Sequence, residues 1–131
     1  MGQPGPARLR QADLADAVTY DEVRALALAL PGVAEATSYG TPSLTVRGKM
    51  LTRLKEDGET LVIRIDFDER EMLIDAEPET FFVTDHYRAY EAMLVRLAHV
   101  APETLQRLIE QAWRQRASRK QLAELERQSG A

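Results

Sequence analysis

Cysteine is absent from this chain of 131 residues, and its absence excludes several kinds of chemistry. Without thiols the protein has no disulfide, no thiolate zinc site, no iron–sulfur cluster and no cysteine nucleophile. No apolar run approaches the roughly 20 residues that a helix needs to span a bilayer, and residues 1–6 lack the apolar segment of a signal peptide. We therefore expect a cytoplasmic protein without a membrane segment, of a length typical of one domain.

Short signatures of common enzyme sites are also missing. The sequence contains no G-x-G-x-x-G, Walker loop, G-x-S-x-G or H-E-x-x-H, the motifs of dinucleotide, nucleoside triphosphate, esterase and metalloprotease sites. The acidic run that starts at Asp66 superficially resembles a calcium loop, but Glu71 stands where that loop requires glycine. We expect a non-enzymatic protein with no metal ion and no cofactor.

Lysine is scarce, with three residues, and the formal net charge is −4. A mildly acidic protein is not expected to bind polyphosphates strongly and without specificity. The charge is unevenly distributed, however: residues 1–40 carry −2, residues 41–54 carry +3, residues 55–85 carry −8 and residues 86–131 carry +3. Two basic stretches thus flank an acidic one, and they would form a basic face if they met in space.

The first and last helices have clear boundaries. A capping box of Thr19 and Glu22 predicts a helix over about 20–30, and Pro102 suits the first turn of the last helix. The apolar stripe of that last helix consists of Leu105, Leu108, Ile109, Ala112 and Trp113. The polar segment 118–131 is predicted to be a helix-prone tail that extends or frays from it.

The second helix is predicted to begin at Asp68. Glu71 stands at the matching capping position, and Phe67 and Met72 are placed to form a hydrophobic staple. Pro78 bounds this helix. The acidic residues of its first turn suit the helix dipole, which explains part of the acidic stretch.

Strands are predicted where apolar residues alternate with polar ones. A short strand near 35–39 precedes a hairpin that reverses at Gly48-Lys49, and a second reversal follows at Asp57-Gly58. The next strand has one covered face, with Leu61, Ile63 and Ile65 on it and Val62 and Arg64 opposite. Two more strands, at 81–83 and 93–97, follow the second helix.

This order, α-β-β-β-β-α-β-β-α, predicts a two-layer α+β fold in which helices pack on an antiparallel sheet. Residues 19–117 form the predicted domain. Residues 1–18 show no usable period and are predicted to be a mobile N-terminal arm.

Ordered landmarks along the chain resemble a known family. They are Leu30-Pro31-Gly32, Gly40-Thr41-Pro42, Gly48-Lys49-Met50, Thr84-Asp85-His86-Tyr87-Arg88-x-Tyr90 and Leu94-Val95-Arg96-Leu97. Over about residues 20–117 the chain resembles the MmcQ/YjbR-like family of small bacterial proteins. The resemblance implies a double-wing fold like that of type III secretion chaperones. It also implies DNA binding, a label that rests largely on fold analogy, and no catalytic residue.

Basic side chains on the predicted hairpin are the candidate nucleic-acid ligands. Arg47, Lys49 and Arg53 lie on or beside it, where a wing can approach a phosphate backbone. Arg88 and Arg96 would extend this surface. The alternative is that these residues only occupy the solvated face of a sheet.

Three tyrosines, Tyr39, Tyr87 and Tyr90, would stack on bases if they were exposed, although aromatic residues more often fill cores. His86 lies beside Tyr87 and is the best acid–base candidate, but it has no positioned second group, so we interpret it as part of a turn or pocket with Tyr87 and Tyr90.

A protein-interaction or small-ligand adaptor is the alternative function. The segment from Arg114 to Arg127 has alternating charges, with Leu122 and Leu125 on one side. These leucines would pack either on a second copy or other protein partner, or on the chain's own core.

Overall fold

A computed structural model describes residues 17–130 of the chain. The helices in this range are α1 (Tyr20–Leu28), α2 (Phe67–Ala76), α3 (Pro102–Arg116) and α4 (Arg119–Gly130). The strands are β1 (Val33–Ser38), β2 (Thr41–Val46), β3 (Lys49–Leu54), β4 (Thr60–Arg64), β5 (Phe81–Phe82) and β6 (Ala92–Arg96). A short 3₁₀ helix spans Asp85–Tyr87. The predicted α+β fold is confirmed.

The six strands form one sheet in the order β1-β2-β3-β4-β6-β5, and every neighbouring pair is antiparallel. Hairpins join β1 to β4 in sequence. The chain then leaves the sheet through α2 and returns so that β6 pairs with β4 and β5 takes the edge. Within residues 17–130, no helix is long and apolar enough to cross a membrane.

One face of the sheet packs against α1 and α3. The predicted stripe of α3 is buried throughout and meets inward residues of the central strands, including Leu61, Ile63 and Val95. Trp113 is fully buried, and its indole N–H donates to the Pro31 carbonyl at 2.8 Å. This hydrogen bond satisfies the one polar atom of the side chain and connects α3 to the turn that follows α1.

Helix α1 begins as the sequence predicts. Thr19 Oγ1 accepts from the Glu22 amide, and the Glu22 carboxylate accepts from the Thr19 amide, which completes the capping box. Val18 and Val23 are both buried. The Val18 amide donates to the Leu97 carbonyl at 3.1 Å, so Val18 packs with the domain. Residues 1–16 of the predicted arm lie outside the described residues.

Helix α2 begins one residue earlier than predicted, and the predicted capping is wrong. Asp66 holds the cap position without a side-chain hydrogen bond to the helix; its carboxylate accepts instead from Gln115 at 2.9 Å. Phe67 and Met72 are exposed and form no buried staple. The start of α2 is set by tertiary contacts instead of a local cap.

The β2–β3 turn lies at Arg47-Gly48, one residue before the predicted reversal. Both residues have positive φ, 54° and 76°, as a two-residue hairpin turn matched to strand twist requires. The register then shifts within β3: Met50 pairs with Thr45 and Thr52 pairs with Leu44, so Leu51 between them has no partner residue. Leu51 therefore forms a β-bulge, which the alternation of apolar and polar residues in the sequence does not predict.

The second face of the sheet is also covered, contrary to the prediction for β4. Val62 is 1% exposed, and it pairs with Arg53 on one side and Leu94 on the other. Side chains directly opposite one another share a face. This second face therefore carries both apolar and cationic residues.

The C-terminal segment forms a separate helix and is not a frayed extension. Ala117 is extended (φ −73°, ψ 153°) and ends α3. Ser118 and Gln121 then cap α4, because each side-chain oxygen accepts from the other residue's amide. Leu122 and Leu125 pack against the cluster around Trp113. Of the two alternatives for these leucines, they cover the chain's own core.

Candidate functional site

A cleft of about 460 Å³ lies on the second face of the sheet and runs along β3. Its apolar floor consists of Met50, Val62 and Ala92. Its polar lining consists of Arg53, Arg64, Arg116, Tyr39, Tyr87, Tyr90, His86 and Glu91. The cleft thus brings together residues from both basic stretches of the sequence.

Arg53 connects three elements at one end of this cleft. The side chain is buried, and its guanidinium donates to the Tyr87 hydroxyl at 2.7 Å and to Thr41 Oγ1 at 3.0 Å. The same guanidinium lies 5.1 Å from the centre of the Tyr39 ring, in cation–π geometry. Arg53 therefore positions two of the three tyrosines and is not part of an exposed wing.

Arg70 holds residues 88–92 in place, and Tyr90, Glu91 and Ala92 of this segment line the cleft. Its guanidinium is buried and donates to the carbonyls of Arg88 (3.2 Å), Tyr90 (2.9 Å) and Ala92 (3.2 Å). It also lies over the Phe67 ring. These contacts hold the loop after the 3₁₀ helix against the sheet. Sequence reasoning missed Arg70, although it takes a position on the stripe of α2 where an apolar residue is expected.

Arg64 and Arg116 line the cleft with incompletely paired guanidinium groups. Arg64 Nη2 lies 3.2 Å from Glu91 Oε1, and Arg64 Nη1 lies 3.6 Å from Asp66 Oδ1. Within residues 17–130, the buried Arg64 Nη1 and the buried Arg116 Nε have no hydrogen-bond partner. Two unsatisfied donors in one cleft are unusual, because buried polar groups are nearly always hydrogen-bonded.

Tyr39 and Tyr90 form an exposed aromatic rim on the cleft. They are 85% and 61% exposed, which is unusual for such large side chains. Tyr39 also has φ of 54°, a strained conformation for a non-glycine residue. His86 is exposed on the same rim, edge-on to Tyr87 with ring centres 4.7 Å apart. Tyr39, His86 and Tyr90 thus lie at the surface and not in the core.

The remaining predicted ligands lie elsewhere on the surface. Arg47 and Lys49 are exposed at the β2–β3 turn, and Arg47 Nη1 donates to the Arg116 carbonyl at 3.3 Å, which places the turn beside the cleft. Arg88 is exposed and pairs with Asp85 at 3.2 Å. Arg96 lies at the opposite end of β6, stacked 4.0 Å from the Phe82 ring, in a second cleft.

Comparison with known proteins agrees with this fold. The YjbR family model matches residues 28–115, two thirds of the chain. The chain belongs to the YjbR family. The uncharacterized proteins Rv2570 of Mycobacterium tuberculosis and Mb2600 of Mycobacterium bovis are each 30% identical to it, with 72% of this chain and 85% of each relative aligned.

A solved structure shares the YjbR fold. The crystal structure of Deinococcus radiodurans protein DR2400, with a DUF419 domain, aligns with a TM-score of 0.67 at 21% identity. The alignment covers 82% of this chain and 87% of that one. At this level of identity the likeness supports the architecture, and the function has to be argued from the residues of the cleft.

Proposed function

We propose that this YjbR protein binds single-stranded DNA at the cleft, as a non-enzymatic protein of the cytoplasm. The observation that carries the proposal is the pair of exposed rings, Tyr39 and Tyr90, on the rim of a cleft lined by three arginines. Proteins that bind single strands combine aromatic platforms for bases with cations for the phosphate backbone. Both components occur together here.

Each predicted ligand has a different part in this proposal. Tyr39 and Tyr90 stack on bases, while Arg53 holds the Tyr39 ring and the Tyr87 hydroxyl in place. Arg47 and Lys49 on the neighbouring turn contact the backbone. In the described part of the chain neither has a carboxylate partner within 4.0 Å, so both charges are available to phosphates. Arg88 and Arg96 have at most a minor part.

The small number of phosphate contacts limits the electrostatic part of the affinity. Two phosphate contacts on a single strand predict a slope of about −1.4 for the logarithm of the binding constant against the logarithm of salt concentration. This is a shallow dependence. Base stacking, at roughly 1–3 kcal/mol per base, is therefore expected to supply most of the binding free energy.

Fluorescence anisotropy with a labelled single-stranded oligonucleotide at low salt tests the proposal. Replacing Tyr39 or Tyr90 by alanine should weaken binding at least fivefold, since one stacked base is lost, while phenylalanine at the same positions should retain it. The double variant R47A/K49A should flatten the salt dependence. R24A/R107A removes the same charge from the helical layer and is the matched control.

Two results would overturn the proposal. One is the absence of binding to single-stranded and duplex DNA at low salt. The other is binding that persists unchanged when both Tyr39 and Tyr90 are alanine, because the stacking platform would then have no role.

A small-ligand adaptor is the second candidate, and one observation favours it. The cleft volume of about 460 Å³ lies within the range of small-molecule sites. Displacement of a bound oligonucleotide by mononucleotides would show that the cleft binds a small ligand as well as a strand.

A further inference from the structure

Two arginines of the cleft each have one nitrogen donor without a hydrogen-bond partner among residues 17–130. Arg64 Nη1 and Arg116 Nε are buried and, among residues 17–130, have no hydrogen-bond partner. A guanidinium has donors only, so the missing partner must be an acceptor. Both residues line the same cleft, so a ligand there would offer acceptors to their guanidinium groups.

The charge of the lining favours an anionic acceptor over a neutral one. Three arginines line the cleft with one carboxylate, Glu91, which pairs with Arg64, while Arg53 lies 3.8 Å from Glu56 outside the lining. Asp66 lies 3.6 Å from Arg64 Nη1. Arg116 differs from Arg64, because its Nε has no hydrogen-bond partner and its guanidinium makes no ion pair with a described residue. Its charge is left for a ligand.

A phosphate monoester fits these donors better than the other common anions. Near neutral pH it carries close to two negative charges and three acceptor oxygens, and arginine binds it with charge-assisted hydrogen bonds. An internal phosphodiester has one charge and two free oxygens.

We propose that Arg64 and Arg116 form a binding site for a terminal phosphate. Assigning that phosphate to the end of a DNA strand or to a nucleotide rests on the proposed function; the phosphate site itself does not. A strand would enter with its terminal phosphate in the cleft and a nearby base on the tyrosine rim.

The first test compares oligonucleotides that differ only in a terminal phosphate, at the 5′ end, at the 3′ end or at neither. One of the phosphorylated strands should bind on the order of tenfold more tightly than the unphosphorylated strand, as expected for a charged hydrogen-bonding group. Arg116→Met should abolish that difference. Arg116→Lys retains the charge without the Nε–H donor and should abolish most of it.

Arg114→Met is the matched control for Arg116→Met. Arg114 lies on the same turn of α3 but pairs with Glu110 at 2.9 Å and does not line the cleft, so this variant should keep the preference for phosphorylated ends. Arg116→Met should also fold as well as the unmodified protein, because it removes a buried unsatisfied donor. Retention of the preference in Arg116→Met would overturn the proposal.

The second test uses inorganic phosphate, with sodium chloride at equal ionic strength as the reference. Phosphate should raise the melting temperature of the protein, since a ligand that binds only the folded state stabilises it, and should have no such effect on Arg116→Met. A phosphate-dependent shift without any oligonucleotide binding would refute the DNA function and support the site. Oligonucleotide binding that is indifferent to terminal phosphate, without a thermal shift, would refute the site and support the DNA function.

Discussion

Replacing Arg70 by methionine is the sharpest test of how the cleft is held together. Arg70 is 4% exposed and is the link between α2 and the loop that carries Tyr90. Methionine keeps an unbranched side chain of similar apolar length and removes only the guanidinium. Three backbone carbonyls, those of Arg88, Tyr90 and Ala92, would lose a donor.

The expected loss of unfolding free energy is about 2–3 kcal/mol. Hydrogen bonds to charged groups contribute roughly 1.5–3 kcal/mol each when buried, but here the bond to Ala92 is fully buried and the other two are partly buried. The Tyr90 carbonyl also retains a bond from the Ala92 amide at 2.8 Å. Removing the desolvated charge offsets part of the loss.

Urea denaturation followed by the fluorescence of Trp113 measures this loss, and hydrogen exchange locates it. Amides at 85–92 should exchange faster in Arg70→Met, while those of α3 should change only as far as global stability does. Arg107→Met, which removes an exposed arginine paired with Glu69, should cost less than about 0.5 kcal/mol. A loss below about 1 kcal/mol in Arg70→Met, or unchanged exchange at 85–92, would refute the reasoning.

Three further predictions concern local structure. Thr19→Ala breaks the capping box and should lower the unfolding free energy by about 1 kcal/mol in the same denaturation assay, while Thr19→Ser should restore it. Arg47→Asn places a residue that tolerates left-handed backbone at φ 54° and should raise the unfolding free energy by about 1 kcal/mol; a lower melting temperature would contradict the strain. Partial burial raises the pKa of Asp57, but hydrogen bonds from the Glu59 and Thr60 amides and the Thr60 hydroxyl outweigh it, so this pKa lies below its usual value. Asp57 therefore stabilises the fold above the pKa of an unfolded aspartate, about 3.9, and loses that contribution as pH falls through the folded pKa. Asp57→Asn should cost about 1 kcal/mol at pH 7 and progressively less in acid, and a cost independent of pH would count against this account.

The elements that the sequence predicted well are those with local causes. Thr19 and Glu22 cap α1 through contacts three residues apart, and the stripe of α3 follows directly from helical periodicity. Ser118 and Gln121 form an equally local box that was available in the sequence as a signal for α4. The same pattern failed at Asp68 and Glu71 because α2 already begins at Phe67.

The cleft depends on contacts that no local pattern contains. Arg53 and Tyr87 are 34 residues apart, and Arg70 reaches carbonyls 18 to 22 residues away. The sequence shows which stretches of the chain are basic. It does not show that Arg53, in one of these stretches, is buried. Alternation in β4 predicted one apolar face, whereas the opposite face is covered too, and Val62 on it is 1% exposed.

The net charge of −4 is therefore a poor guide to this surface. Many of the carboxylates of residues 55–85 belong to α2 and the turns, while the cleft collects Arg53, Arg64 and Arg116 against Glu91. If an anion binds in the cleft, those charges would act on it at a lower effective dielectric than they would in open solvent. Arg116 distinguishes two interpretations of the site. If Arg116 only packs on the sheet, phosphate should leave the melting temperature of the protein unchanged. If Arg116 binds a phosphate ligand, the melting temperature should rise with phosphate concentration.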